Sequence, residues 1–231
     1  DLIDFGTLPG LSSSIDNFTL NFWVKTDNQN KSTIEQIMGT LNSGNPVRTA
    51  FVVDFNRRYN NGQVTSIYEA GTISLYLRDE NSKEFTLSGN FPQVFDDQWH
   101  MITFSVEDAT TGVGDIYIDG VLQTNVSSKK ENPSNFASFQ YEFYSGAVNN
   151  RSNAGSHYEG AIDDICIYDY ALDDNDVMNL NNFGTLSSFR TTVYDTEPIA
   201  SDLITDQLSR ESLSGISEIH FYDLSGHLLF K

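Results

Sequence analysis

The stretch Phe18-Thr19-Leu20-Asn21-Phe22-Trp23-Val24-Lys25 decides the fold class. Side chains alternate across a strand, so Phe18, Leu20, Phe22 and Val24 fall on one side. Thr19, Asn21, Trp23 and Lys25 fall on the other. Such a pattern reads as a strand with one dry face and one wetter face. The same period returns in both directions along the chain. Phe51, Val53 and Phe55 alternate, as do Ile73, Leu75 and Leu77, which leaves Ser74, Tyr76 and Arg78 facing the other way. Phe85 and Leu87 begin a further short strand. His100, Ile102, Phe104 and Val106 share one side of the next, and Phe139, Tyr141 and Phe143 alternate in a later one. Ile116 and Ile118 run into Asp119-Gly120 and then Val121-Leu122. An Asp-Gly pair between apolar runs predicts a tight hairpin, because a type I′ turn requires positive φ at both positions.

Many short strands with regular turns predict an all-β, antiparallel two-sheet jelly-roll sandwich. One helix is expected, from Leu172 to Leu180, with Asp173 or Asp174 as its N-terminal cap. The segment Asn56–Gly62, which carries Arg57, Arg58 and Tyr59, reads as a loop, and so does the Gly- and Asn-rich stretch from Gly146 to Ser156. Residues 1–183 are expected to form the jelly roll. Residues 184–231 are expected to form a polar linker and a terminal hairpin, read from Ile216–Phe221 and Leu228–Phe230, packed on the main domain.

Gly160 to Met178 reads as a β-branched strand followed by the capped helix. Asp163 shares the parity of Ile165 and Ile167, which places a carboxylate on an apolar face. An ionised carboxylate there needs hydrogen bonds or a cation. Ile162 has the opposite parity, so a bulge here would re-aim Asp163 or Asp164.

Thirteen basic residues against thirty-two acidic ones give a formal charge of −19. No basic patch of any size can be assembled, which argues against nucleic acid and anionic membrane surfaces. No run approaches the ~18 apolar residues of a membrane span. The single cysteine, Cys166, excludes an intrachain disulfide and reads as a small buried hydrophobe. The chain begins with Asp rather than Met, so a processed or excised piece of a longer protein is expected.

Four stretches in order resemble the laminin G-like branch of the concanavalin A-like lectin/glucanase superfamily. They are Phe18–Lys25, Asp97-Gln-Trp-His-Met-Ile-Thr-Phe104, Ile116-Tyr-Ile-Asp-Gly-Val121, and Gly160 to Leu180. The resemblance covers about residues 1 to 182 and implies two facing sheets, one of them concave. It also implies a structural calcium near the last strand, with Asp163 as ligand and Asp164 as the alternative; calcium takes roughly six to eight oxygens. Related domains have a strand before the segment matching Asp1–Gly6, and the terminal hairpin is expected to fill that edge. The tail Ile219–Leu229 is similar to the closing hairpin of sorting domains in secreted bacterial proteins.

The retaining glucanases of the superfamily carry Glu-x-Asp-x-x-Glu on one strand, and no such cluster occurs here. Glu107-Asp108 lies at a strand end, and Glu142 has no carboxylate two residues away. His100 has core parity, and no histidine pair has metal spacing. The expectation is therefore a binder and not an enzyme. A glycan is held by aromatic faces and a few fixed polar groups. The candidates are Arg57, Tyr59, Tyr76, Arg78, Asn149, Asn150, Arg151, His157 and Tyr158. Arginine forks suit uronate or sulfate oxygens, although each arginine here also has many carboxylates to pair with. The expected partner is a polysaccharide bound by concave-side loops, with a protein-binding adhesion module or a structural spacer as the alternative. The expected setting is the cell surface or secretion.

Overall fold

The computed structural model describes residues 3–7, 16–27, 33–41, 50–60, 63–79, 81–130, 142–146, 157–183, 219–222 and 228–230. Its strands are β1 (Ile3–Thr7), β2 (Phe18–Lys25), β3 (Glu35–Leu41), β4 (Ala50–Asn60), β5 (Gln63–Arg78), β6 (Glu84–Asn90) and β7 (Trp99–Asp108). They continue with β8 (Val113–Ile118), β9 (Val121–Leu122), β10 (Val126–Lys130), β11 (Glu142–Ser145), β12 (Ala161–Tyr168), β13 (Ile219–Tyr222) and β14 (Leu228–Phe230). The helix α1 spans Asp174–Phe183.

Two seven-stranded sheets face each other. The front sheet runs β1-β11-β3-β4-β5-β6-β10 and the back sheet β14-β13-β12-β2-β7-β8-β9. The alternation read from the sequence becomes the interior. Phe18, Leu20, Phe22 and Val24 of the back sheet meet Phe51, Val53 and Phe55 of the front sheet in one buried cluster. Phe18 and Phe51 lie with ring centroids 5.7 Å apart, and Phe22 stacks on Phe104 at 6.4 Å. Removing one such ring leaves a cavity and costs about 3–5 kcal/mol. The all-β jelly roll with one short helix is what the structure shows.

The punctuation follows the local chemistry. Asp119 and Gly120 have φ of 51° and 78°, as the hairpin between β8 and β9 requires. Asp173 caps α1, its Oδ1 accepting from the backbone N–H of Asn175 and of Asp176, both at 3.0 Å. The helix lies on the outer face of the back sheet. Val177, Leu172 and Leu180 pack there with Met101, Tyr117 and Tyr168.

One element differs from the sequence reading. The segment expected as a loop at Asn56–Gly62 is strand up to Asn60. The ladder of β4 with β3 ends at Phe55, and that of β6 with β5 ends at Thr72. Beyond those points β4 and β5 continue as a two-stranded ribbon, pairing Arg57 with Tyr68 and Arg58 with Ile67. Asn56 turns the ribbon: its φ is 59°, and its buried side chain bonds the Gly71 N–H at 2.9 Å. At the C-terminus the structure has a hairpin where one was expected: β13 pairs in parallel with β12 and β14 closes antiparallel on β13. The hairpin thus lies on the β12 edge of the back sheet. The expected linker from residue 184 onward lies outside the described residues up to 218.

Candidate functional site

β5 places Tyr76 and Arg78 on the outer face of the front sheet, because Leu75 and Leu77 are committed to the core. The register sets Ala50, Arg78 and Glu84 in one row, Val52, Tyr76 and Thr86 in the next, and Asp54, Ser74 and Ser88 in the third. Arg57 adjoins that third row, its Nη1 3.2 Å from Asp54 Oδ2. Ser74 Oγ donates to the Arg57 carbonyl at 2.6 Å. Arg57, Tyr76 and Arg78 are therefore brought together along one face.

That face carries the residues of a wet surface but is closed to solvent. Tyr76 is 4% exposed and Arg78 8%. Tyr76 Oη donates to Glu84 Oε1 at 2.6 Å. Burial, and then the bond to the Glu84 carboxylate, push the Tyr76 phenol well above its usual pKa. Tyr144, on β11 beside Gly39 in the same row as Val52, also lies on this face and is buried. Sequence reasoning missed it; its parity opposite to the core residue Phe143 was the available signal.

The other candidates separate. Tyr158 is a core residue: its ring meets Phe55 edge-on at 5.8 Å. Its Oη lies 3.1 Å from the Lys25 carbonyl oxygen and 3.2 Å from that of Ala161, and burial raises its pKa. His157 is exposed and forms an isolated parallel bridge with Gln36. The backbone of Tyr59 pairs with Ser66 in the ribbon. Asn149, Asn150 and Arg151 lie outside the described residues. The salt-bridge reading of the arginines holds for two of them: Arg57 pairs with Asp54, and Arg58 with Glu69 at 3.1 Å.

The metal candidates stand differently from their parity. The pairing of β12 with β2 shifts between Asp163 and Cys166, and Asp164 has φ 45°. That bulge sends Ile162 into the core and leaves Asp163 opposite Trp23 on the outer face. Asp163 is half-buried rather than set among the isoleucines, and its Oδ1 accepts the Asp164 N–H at 2.9 Å. A desolvated carboxylate that demands a cation is thus not what the strand contains. Among the described residues no three His, Cys, Asp or Glu side chains converge as a metal site. Among the described residues the pair by itself supplies too few oxygens for the roughly six to eight that calcium takes.

At one end of the sandwich His100 is held by two turns. Its Nδ1 is 2.7 Å from Asp119 Oδ2 and its Nε2 3.0 Å from Asp96 Oδ1. Asp119 Oδ1 also accepts the Met101 N–H at 2.9 Å. Desolvation lowers the His100 pKa, but the bonds to Asp119 and Asp96 outweigh it and the net shift is upward. Burial is the chief cause that pushes the Cys166 thiol up to about 12, away from the thiolate form.

The sequence profile of the concanavalin A-like lectin/glucanases superfamily matches residues 4–178. No curated protein matches the chain. Among solved structures, the binding domain of botulinum neurotoxin serotype D superposes with a TM-score of 0.50 at 14% identity, covering 78% of this chain and 39% of that one. The NanB sialidase from Streptococcus pneumoniae gives 0.50 at 15% identity, covering 78% and 27%. A SAP-like pentraxin from Limulus polyphemus gives 0.46 at 17% identity, covering 78% and 75%. The chain therefore spans well under half of the toxin and sialidase chains. At these identities the likeness is one of fold. No helix among the described residues is long and apolar enough to cross a membrane.

Proposed function

On the premise that the chain belongs to the concanavalin A-like lectin/glucanase superfamily, we propose that it is a non-catalytic carbohydrate-binding module of a secreted or cell-surface protein. Its ligand is a polysaccharide, held at the outer face of the front sheet and the loops around it. The observation that carries this reading is the placing of Arg57, Tyr76 and Arg78 along a single face, across three successive rows. The guanidinium fork of Arg57 suits uronate or sulfate oxygens, with Tyr76 and Arg78 buried behind it along the same face. Entry is from the ribbon end, where the Arg57 side chain retains some exposure.

The carboxylates of that face favour binding over hydrolysis. Asp54 and Glu84 lie two rows and two strands apart. Strand rise and strand spacing place their backbones about 16 Å apart. A glycosidase pair stands at about 5–5.5 Å for retention or about 6.5–9.5 Å for inversion. Each of the two also has a fixed partner, Arg57 for Asp54 and Tyr76 for Glu84.

A glycan array read with calcium and again with chelator tests the proposal. Binding to one or more acidic polysaccharides, weakened at least tenfold in Arg57→Ala, is expected. No binding to any glycan, together with capture of a protein ligand, overturns it. The protein-ligand alternative has its own observation, since Ile67 and Tyr68 are exposed on the ribbon.

A further inference from the structure

Both tryptophans of the chain lie on the outer face of the back sheet. Phe22 and Val24 point into the core, which sends Trp23 outward; Trp99 shares the parity of Met101, which packs under α1. The register pairs Lys25 with Trp99 and Trp23 with Met101. Trp99 and Trp23 are therefore diagonal neighbours on adjacent strands, a relation that places Cβ atoms about 7–8 Å apart or less. Trp23 is half-buried and rests against the α1 cluster, whereas Trp99 is 38% exposed.

The polar surroundings are specific. On β12, Asp163 stands opposite Trp23, and the small Ala161 stands opposite Lys25. Lys25 Nζ lies 3.7 Å from Asp97 Oδ1. The strand that carries Trp99 is pinned just beyond it by the bonds of His100 to Asp96 and Asp119. This arrangement is a shallow aromatic strip on a pleated face, with hydrogen-bonding groups along its margin. A large exposed indole in that setting suits the flat apolar face of a pyranose, with hydroxyls reaching the margin. The margin holds Asp97 and Asp163 against Lys25. A polyanion would be repelled there.

We infer that Trp99, with Trp23, Asp163 and Lys25, forms a contact site for a neutral polysaccharide, separate from the arginine-bearing front face. The inference rests on the glycan-binding reading but names a different surface and a different sugar chemistry.

The test uses affinity gels containing neutral β-glucan, xylan or galactomannan, with alginate as the acidic comparison. It is run on the parent, Trp99→Ala and Trp99→Phe. Iodide quenching of tryptophan fluorescence in the parent, with and without each polysaccharide, supplies a readout that needs no variant. Retardation of the parent by a neutral polysaccharide is expected, weakened about tenfold in Trp99→Ala and less in Trp99→Phe, with tryptophan shielded from iodide when that polysaccharide is present. Neutral binding that is unchanged in Trp99→Ala, with no shielding, overturns the site and leaves the glycan-binding reading standing. Binding of alginate alone does the same. Binding of no polysaccharide overturns both.

Discussion

Replacing His100 with glutamine should destabilise the protein in acid more than in base. An imidazole has two N–H groups only when protonated, and the neutral ring has one. His100 faces a carboxylate oxygen at each nitrogen, at 2.7 and 3.0 Å. Both contacts are hydrogen bonds only for the imidazolium; in the neutral ring one nitrogen lone pair confronts a carboxylate. The facing charged groups are Asp119 from the β8–β9 turn and Asp96 from the turn before β7, with Lys25 and Asp97 paired nearby. The partners are 41% and 47% exposed, so solvent screens both bonds, and the one to the less exposed Asp119 is placed at about 1 kcal/mol.

The sign follows from the directions of the shifts. The His100 pKa is raised in the folded state, so its contribution is complete below the ordinary histidine value and is lost as pH rises through the folded pKa. Asp96 is shifted down, first by the His100 bond, so its share is present above the ordinary aspartate range and lost as pH falls through its lowered pKa. The clamp is strongest between the two ranges. Urea unfolding of parent and His100→Gln should differ by about 1 kcal/mol near pH ~5.5 and by clearly less near pH ~9. The other histidines are common to both proteins and cancel. A gap of the same size at both pH values refutes the two-carboxylate clamp.

Thr19→Val tests the tie between β2 and the approach to α1. Thr19 Oγ1 donates to the Tyr170 carbonyl at 2.9 Å and accepts the Leu172 N–H at 2.8 Å, fully buried. Valine keeps the shape and strands both backbone groups, so a loss of about 3 kcal/mol is expected, seen in calorimetry as a melting temperature lowered by roughly 6–12 °C; a drop below about 2 °C counts against it. Asp163→Ala should leave the response of the melting temperature to added calcium the same as the parent's, because Asp163 spends an oxygen on its neighbour's N–H and meets no converging ligands among the described residues. A calcium response present in the parent and abolished in the variant would restore Asp163 as a metal ligand.

What could be read from the sequence was whatever a local rule controls. Phe18 to Lys25 announced its strand and the side that faces the other sheet, since packing between sheets imposes period two on the residues, but not that Thr19 and Asn21 on the opposite side are buried as well. Asp119-Gly120 and Asp173 were legible for a similar reason: positive φ and orphan helix N–H groups each select a short list of residue types. Asp163 was misplaced because parity counting assumes an unbroken ladder, and the bulge at Asp164 resets the phase. Arg57 was read as loop because a ribbon beyond its sheet neighbours has no dry face to impose alternation. The order of strands within each sheet rests on pairings between distant residues, which no local pattern records. The closure of the front face was equally out of reach. Alternation says which side chains leave the core, not what they meet on the other side.

That closure separates the two candidate surfaces physically. On the front face the polar groups already bond one another: Tyr76 to Glu84, Arg57 to Asp54, Ser74 to the Arg57 carbonyl. A ligand there must exchange existing bonds for its own, and a net hydrogen bond contributes only about 0.5–1.5 kcal/mol when it replaces another. Affinity then depends on charge, which makes an anionic sugar the natural occupant and salt an effective competitor. On the back sheet Trp99 is wet before any ligand arrives, and covering it releases water at no cost in broken bonds. Binding there should tolerate salt and favour uncharged rings. Salt dependence alone therefore distinguishes which face holds a bound polysaccharide.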